Sequence, residues 1–274
     1  MPFQVDTPAS FKDLFPGRTR PVAGMFVCSG DAGIAEICAG SGLDYLLIDA
    51  EHGAMNLESV LAQLRAVAAY PCAAVVRVPD NDAVLIKQFL DLGAQSILVP
   101  MVHTADQARA AVAAVRYPPA GIRGVGSALA RSARWNRVPG YLDRAGEFIS
   151  LIVQIESAEA VANASGIAAV DGVDAVFIGP SDLAASMGVL GQQDHPDVVD
   201  AVLRTIEAVK AAGKIVGVNA FVEAHARRYL DVGADFVNVG ADVALLARGT
   251  EALAARYIGA DGTGSDAGAA PASY

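Results

Sequence analysis

Tyr45-Leu46-Leu47-Ile48-Asp49-Ala50-Glu51-His52 sets four apolar residues in a row directly before two carboxylates and a histidine. A half-exposed strand would alternate apolar and polar residues, whereas an unbroken apolar run fits a parallel strand covered on both faces. The pattern recurs at Ile152-Val153-Gln154-Ile155-Glu156 and at Val176-Phe177-Ile178-Gly179-Pro180-Ser181-Asp182. In α/β folds the C-terminal ends of parallel strands converge on one face, and chemistry gathers there. Acids at successive strand ends predict an enzyme that holds a divalent metal.

The other apolar runs extend the count. Strands are expected near 22–28, 44–49, 74–78, 96–100, 151–156, 174–178, 215–219 and 235–239. Between them lie stretches with apolar residues three and four apart, such as Leu57 to Ala68, Asp82 to Leu92 and Pro196 to Ala212. This alternation predicts an α/β protein built as a (β/α)8 TIM barrel, one domain over 1–258, with a doubly wound open sheet as the second reading. Glycine follows three of the helical stretches, at Gly40-Ser41-Gly42, Gly93 and Gly233, where a left-handed cap suits it. Small and polar residues over 259–274 predict a disordered tail. The connection from 101 to 150 is long and rich in arginine, which suggests function.

Composition bounds the class. The 274 residues are 53% hydrophobic and 18% charged, enough for a large core. A net charge of −10 argues against nucleic acid or an anionic membrane as partner. Cys28, Cys38 and Cys72 lack C-x-x-C spacing and read as thiols of a reducing compartment. No apolar run approaches the ~18 residues of a membrane span, and no secretory signal is recognisable. The expected localisation is cytoplasmic.

Glu156 and Asp182 fall at the ends of neighbouring strands, which lie about 4.8 Å apart, so the two carboxylates can share one cation. Two oxygen ligands leaving room for water and substrate suit Mg²⁺ or Mn²⁺. The plainer reading makes each acid a helix cap. His52 with Asp49 three residues before it is the candidate general base, the carboxylate fixing the tautomer. Otherwise His52 simply caps a helix. His103 is a weaker candidate, and His195 and His225 read as structural or exposed. Arg77 interrupts a β-branched run, which predicts either a salt bridge or a positive charge aimed at an oxyanion. Gln154 lies two residues before Glu156, on the same side of its strand, and could donate to substrate. A Schiff-base mechanism would need a desolvated lysine, and Lys12, Lys87 and Lys214 are poorly placed for one.

Taken together, Leu-Ile-Asp-Ala-Glu-His, Tyr-Pro-Pro-Ala-Gly-Ile-Arg-Gly-Val-Gly-Ser-Ala, Arg-Trp-Asn-Arg, Gln-Ile-Glu-Ser and Phe-Ile-Gly-Pro-Ser-Asp-Leu resemble the class II pyruvate aldolases of the HpcH/HpaI family, from about Phe11 to Tyr257. The resemblance implies a barrel of the phosphoenolpyruvate/pyruvate type, a homo-hexamer and an exchanged last helix. It implies reversible aldol cleavage of 4-hydroxy-2-oxo acids to pyruvate and an aldehyde, such as succinic semialdehyde or a hydroxyaldehyde. By the same resemblance Glu156 and Asp182 bind the metal (Mg²⁺ or Mn²⁺, with Co²⁺ a further candidate), and Gln154 and the backbone at Ser181 hold pyruvate. His52 is then the base, Arg77 steadies the enolate, Asp49 partners His52, and Asp91 raises its basicity. Asp91 nevertheless falls at a helix end, on the side of the barrel away from the strand ends. Three departures bear on the aldehyde: Gly53-Ala54-Met55 where Ala-Pro is common, Phe26 for tryptophan, and Asn219 for an aliphatic residue. An acyl-CoA carbon–carbon lyase and a non-catalytic sugar-acid-binding barrel are the rival readings.

Overall fold

The computed structural model of the protein describes Val5 and residues 7–258. Eight parallel strands close in sequence order into a barrel: β1 (Val22–Val27), β2 (Tyr45–Asp49), β3 (Ala73–Arg77), β4 (Ser96–Val99), β5 (Ser150–Ile155), β6 (Ala175–Ile178), β7 (Ile215–Asn219) and β8 (Phe236–Ala241). β1 pairs with β8 in parallel, which rules out the open sheet. Helices follow the expected stretches, including Leu57–Val67, Ala83–Asp91 and Pro196–Ala211. Gly93 (φ 95°) and Gly233 (φ 104°) take the left-handed conformation expected after helices. The tail expected over 259–274 lies outside the described residues.

Alternation along each strand separates two cores. Ile48, Val76, Val153, Ile178 and Val218 point outward and pack with the helices. Tyr45, Leu47, Val75, Ile152, Phe177 and Phe236 point inward and fill the barrel. The interior is tight: a Cβ on Gly217 would stand 2.4 Å from the Phe236 ring, so that position excludes any larger residue. A 3₁₀ turn, Phe11–Leu14, closes the N-terminal end, with Phe11 seated 4.9 Å from Phe236 ring to ring. The backbone N–H of Phe11 donates to Ser96 Oγ at 2.8 Å, and that of Lys12 to Ser150 Oγ at 2.9 Å. The barrel is thus plugged below, and solvent reaches it from the C-terminal end.

Candidate active site

On β2, β3 and β5 the inward phase ends on a polar residue at the upper rim. After Tyr45 and Leu47 comes Asp49; after Ala73 and Val75 comes Arg77; after Ile152 comes Gln154. Above this layer is a cavity of about 70 Å³ lined by Phe26, His52, Arg77, Gln154, Ser181, Asp182 and Asn219.

Asp49 and Arg77 stand in register on β2 and β3. Arg77 Nε donates to one Asp49 oxygen at 2.9 Å and Nη2 to the other at 2.7 Å. Its Nη1 lies 3.0 Å from Glu51 Oε2, and the guanidinium carbon sits 4.9 Å from the Phe26 ring centroid. Burial opposes charge on Arg77, but the two carboxylates outweigh it and raise its pKa further. Burial likewise pushes the Asp49 carboxyl up, and Arg77 more than reverses that. The salt-bridge reading of Arg77 therefore holds, and the side chain also lines the cavity.

This geometry corrects the Asp49–His52 pair. Asp49 meets His52 through the backbone N–H, at 3.3 Å, because the turn after β2 folds that amide back onto the carboxylate. The imidazole projects away with a side-chain exposure of 67%, and its Nε2 lies 3.8 Å from Glu51 Oε2. Glu51, two residues beyond Asp49, is the acid beside the imidazole. The sequence signal for this is that Glu51 directly precedes His52.

Glu156 follows β5, and both its oxygens are held. Oε1 accepts the Met101 N–H at 2.8 Å, and Oε2 accepts Gln154 Nε2 at 2.5 Å. Met101 presents that amide from a left-handed backbone (φ 52°), an uncommon state for a non-glycine residue. The Gln154 amide is thus engaged with Glu156, while its Oε1 is buried without a partner among the described residues. Burial pushes the Glu156 carboxyl up to about 7; the Met101 amide opposes this, and the charges of Asp182 and Glu51 add to it. Glu51 is also raised, first by burial, with Arg77 and His52 opposing and Asp49 and Asp182 adding.

The helix-cap reading of the two acids fails. Gly179 precedes the helix Pro180–Ser186 with no side-chain cap bond, and Ser157 caps the helix after Glu156. Gly179 instead leaves a cradle: a Cβ there would stand 2.8 Å from both Gln154 Nε2 and Glu156 Oε2. Among the described residues no three His, Cys, Asp or Glu side chains group to enclose a metal ion. Clustered, partly desolvated carboxylates with hard oxygen donors fit a cation that draws its other ligands from water and substrate.

Asp91 does not join this group. It ends the helix Ala83–Asp91 and pairs with the fully buried Arg123 at 2.9 Å, because helix C-termini lie at the barrel end opposite the strand C-termini. Three arginines of the long connection are engaged within the chain. Arg123 packs 4.6 Å from the Tyr117 ring centroid, Arg116 pairs with Asp171, and Arg131 donates to the Leu92 carbonyl. His103 Nδ1 meets Ser157 Oγ at 2.8 Å, and His195 caps the helix it precedes. Lys12 and Lys214 bind backbone carbonyls near the plugged end.

Residues 22–249 match the HpcH/HpaI aldolase/citrate lyase family. A 4-hydroxy-2-oxo-heptane-1,7-dioate aldolase of Salmonella dublin is 54% identical over 248 residues, covering 90% of this chain and 94% of the relative. The crystal structure of an HpcH/HpaI aldolase/citrate lyase family protein from Burkholderia cenocepacia J2315 superposes with a TM-score of 0.85 at 40% identity, covering 88% of this chain and 96% of the other. That of an HpcH/HpaI aldolase from Desulfitobacterium hafniense DCB-2 gives 0.84 at 27% identity, covering 94% and 100%.

Proposed function

Because the chain belongs to the HpcH/HpaI aldolase/citrate lyase family and is a carbon–carbon lyase, we propose that it cleaves 4-hydroxy-2-oxo acids reversibly to pyruvate and an aldehyde at the cavity between Arg77 and Asp182. One observation carries the reading: a fixed guanidinium and Asp182 line one cavity, and Glu51 and Glu156 stand close enough behind it for the charges of the three acids to act on one another. That is a site for a small 2-oxo acid and a cation.

Glu156 and Asp182 would hold Mg²⁺ or Mn²⁺, or Co²⁺ in their place. Such a cation supplies Lewis-acid polarisation of the substrate's 2-keto oxygen. The second N–H of Gln154 Nε2, left free by Glu156, and the backbone N–H of Ser181, in the first turn of its helix, would donate to the substrate carboxylate. In cleavage, His52 takes the proton of the 4-hydroxyl, with Glu51 as counter-charge to the imidazolium. The C3–C4 bond breaks, the aldehyde leaves, and the bonding pair passes to the enolate, whose oxygen faces Arg77. Reprotonation at C3 gives pyruvate, and aldol addition runs the same steps backwards. Asp49 positions Arg77. Asp91 would serve the fold through its ion pair with Arg123.

The hexamer is supported by the last helix, Asp242–Ile258, which leaves Leu245, Leu246, Leu253 and Tyr257 exposed on a single chain. An exchanged helix would cover them. No described helix is long and apolar enough to cross a membrane, and a cytoplasmic location fits the free thiols of Cys28, Cys38 and Cys72. Against the acyl-CoA reading, Arg116, Arg123 and Arg131 are committed within the chain, away from the cavity.

The test is retro-aldol turnover of a free 4-hydroxy-2-oxo acid without CoA. Excess chelator should abolish it and Mg²⁺ or Mn²⁺ restore it; full turnover in chelator rejects the metal role.

A further inference from the structure

A second cavity, of about 230 Å³, opens beside the first. The two share Asn219, the last residue of β7, and Pro180 in the second follows Gly179 in the first. Its polar lining is Gln193, Asp194, Asn219, His225 and Tyr229, with no lysine or arginine. Tyr229 is 2% exposed, and its hydroxyl has no hydrogen-bond partner among the described residues. The hydroxyl is not sealed off, so water completes it until a ligand takes that place. Burial pushes its pKa up, with Arg228 opposing and Asp194 adding, so it stays a neutral donor. Asn219 accepts from Asn238 at 3.4 Å, and its own amide N–H groups have no acceptor among the described residues.

We infer that this second cavity is the acceptor subsite, and that it is built for an uncharged, hydroxylated aldehyde tail. The inference rests on the aldolase reading above. A hydroxyl both donates and accepts, so one hydroxylated tail can receive from Tyr229 and Asn219 and give to Asp194 or His225. A carboxylate tail would instead meet the negative charge of Asp194 with no fixed cation in the lining. The subsite therefore discriminates partly by repulsion. Asn219, the residue common to both cavities, joins the tail to the reacting carbonyl.

The test compares kcat/KM for addition of pyruvate to glyceraldehyde and to succinic semialdehyde. The wild type should favour glyceraldehyde by about tenfold or more. Tyr229→Phe should lower kcat/KM for glyceraldehyde by about 3- to 10-fold, mostly through KM. Asp194→Asn, at an exposed position that tolerates change, should raise kcat/KM for succinic semialdehyde by about 3- to 10-fold. Equal use of the two aldehydes, or a ratio that neither variant moves, overturns the subsite. Exchange of pyruvate methyl protons into deuterated water needs no aldehyde and is run alongside on the wild type. Exchange with unmoved ratios defeats the subsite alone; absence of exchange defeats the aldolase reading, and the subsite with it.

Discussion

Asp49 grips Arg77 through both carboxylate oxygens, at 2.9 and 2.7 Å, from the position directly opposite on the neighbouring strand. The pair is buried, so neither charge can be removed without exposing the other to a poorly solvating interior. Its fork geometry also fixes the direction in which the guanidinium faces the cavity.

Asp49→Ala should therefore cost about 3–5 kcal/mol of stability by leaving Arg77 half-compensated. Urea denaturation reads this directly. A loss under about 1 kcal/mol would mean that Glu51 alone suffices to hold the guanidinium.

Arg77→Lys keeps the charge and discards the fork. Pyruvate methyl exchange, followed by NMR, should drop by about 100-fold. Wild-type exchange in this variant would remove the guanidinium from the enolate step.

Gly179→Ala would drive a methyl group to 2.8 Å from both Gln154 Nε2 and Glu156 Oε2. The displaced carboxylate should bind Mn²⁺ about tenfold more weakly or worse, while the circular dichroism spectrum is retained. Unchanged Mn²⁺ affinity would separate Glu156 from the metal.

Glu156 titrates near 7 in the folded chain against an ordinary 4.5, chiefly through burial. The folded pKa is raised, so the linked stability is present in full below 4.5 and is lost as pH rises through about 7. Chelator-treated protein should lose up to about 3 kcal/mol over that window, and Mg²⁺ should flatten the loss by favouring the ionised carboxylate. Glu156→Gln should remove this slope. Equal slopes in the two proteins would contradict the assignment.

Asp91→Ala should destabilise by about 2 kcal/mol, less than for a fully buried pair because Asp91 is 29% exposed. Urea midpoints at constant m-value provide the measure.

The strand count, the barrel and the identity of the polar residues at its open end could be read from the sequence. Apolar runs and strand alternation are local properties, so they survive translation into structure with little change. Arg77 was ambiguous because a lone arginine in a strand shows its burial and not its partners. Glu51 is the acid nearer to His52 in the chain, but nothing local shows that Arg77 on the neighbouring strand takes up Asp49 and leaves Glu51 beside the imidazole. The Phe11 plug and the second cavity gave no local signal at all: each is assembled from segments far apart in the chain.

Residue order along the chain thus dictated a closed parallel barrel with acids, a histidine and an arginine at one rim, since periodicity alone assigns each side chain to a face. Which carboxylate serves which cation was decided by the register between strands. Only the closed barrel brings Asp49 opposite Arg77, seats Glu156 over Gly179, and leaves Tyr229 facing open space beside Asn219.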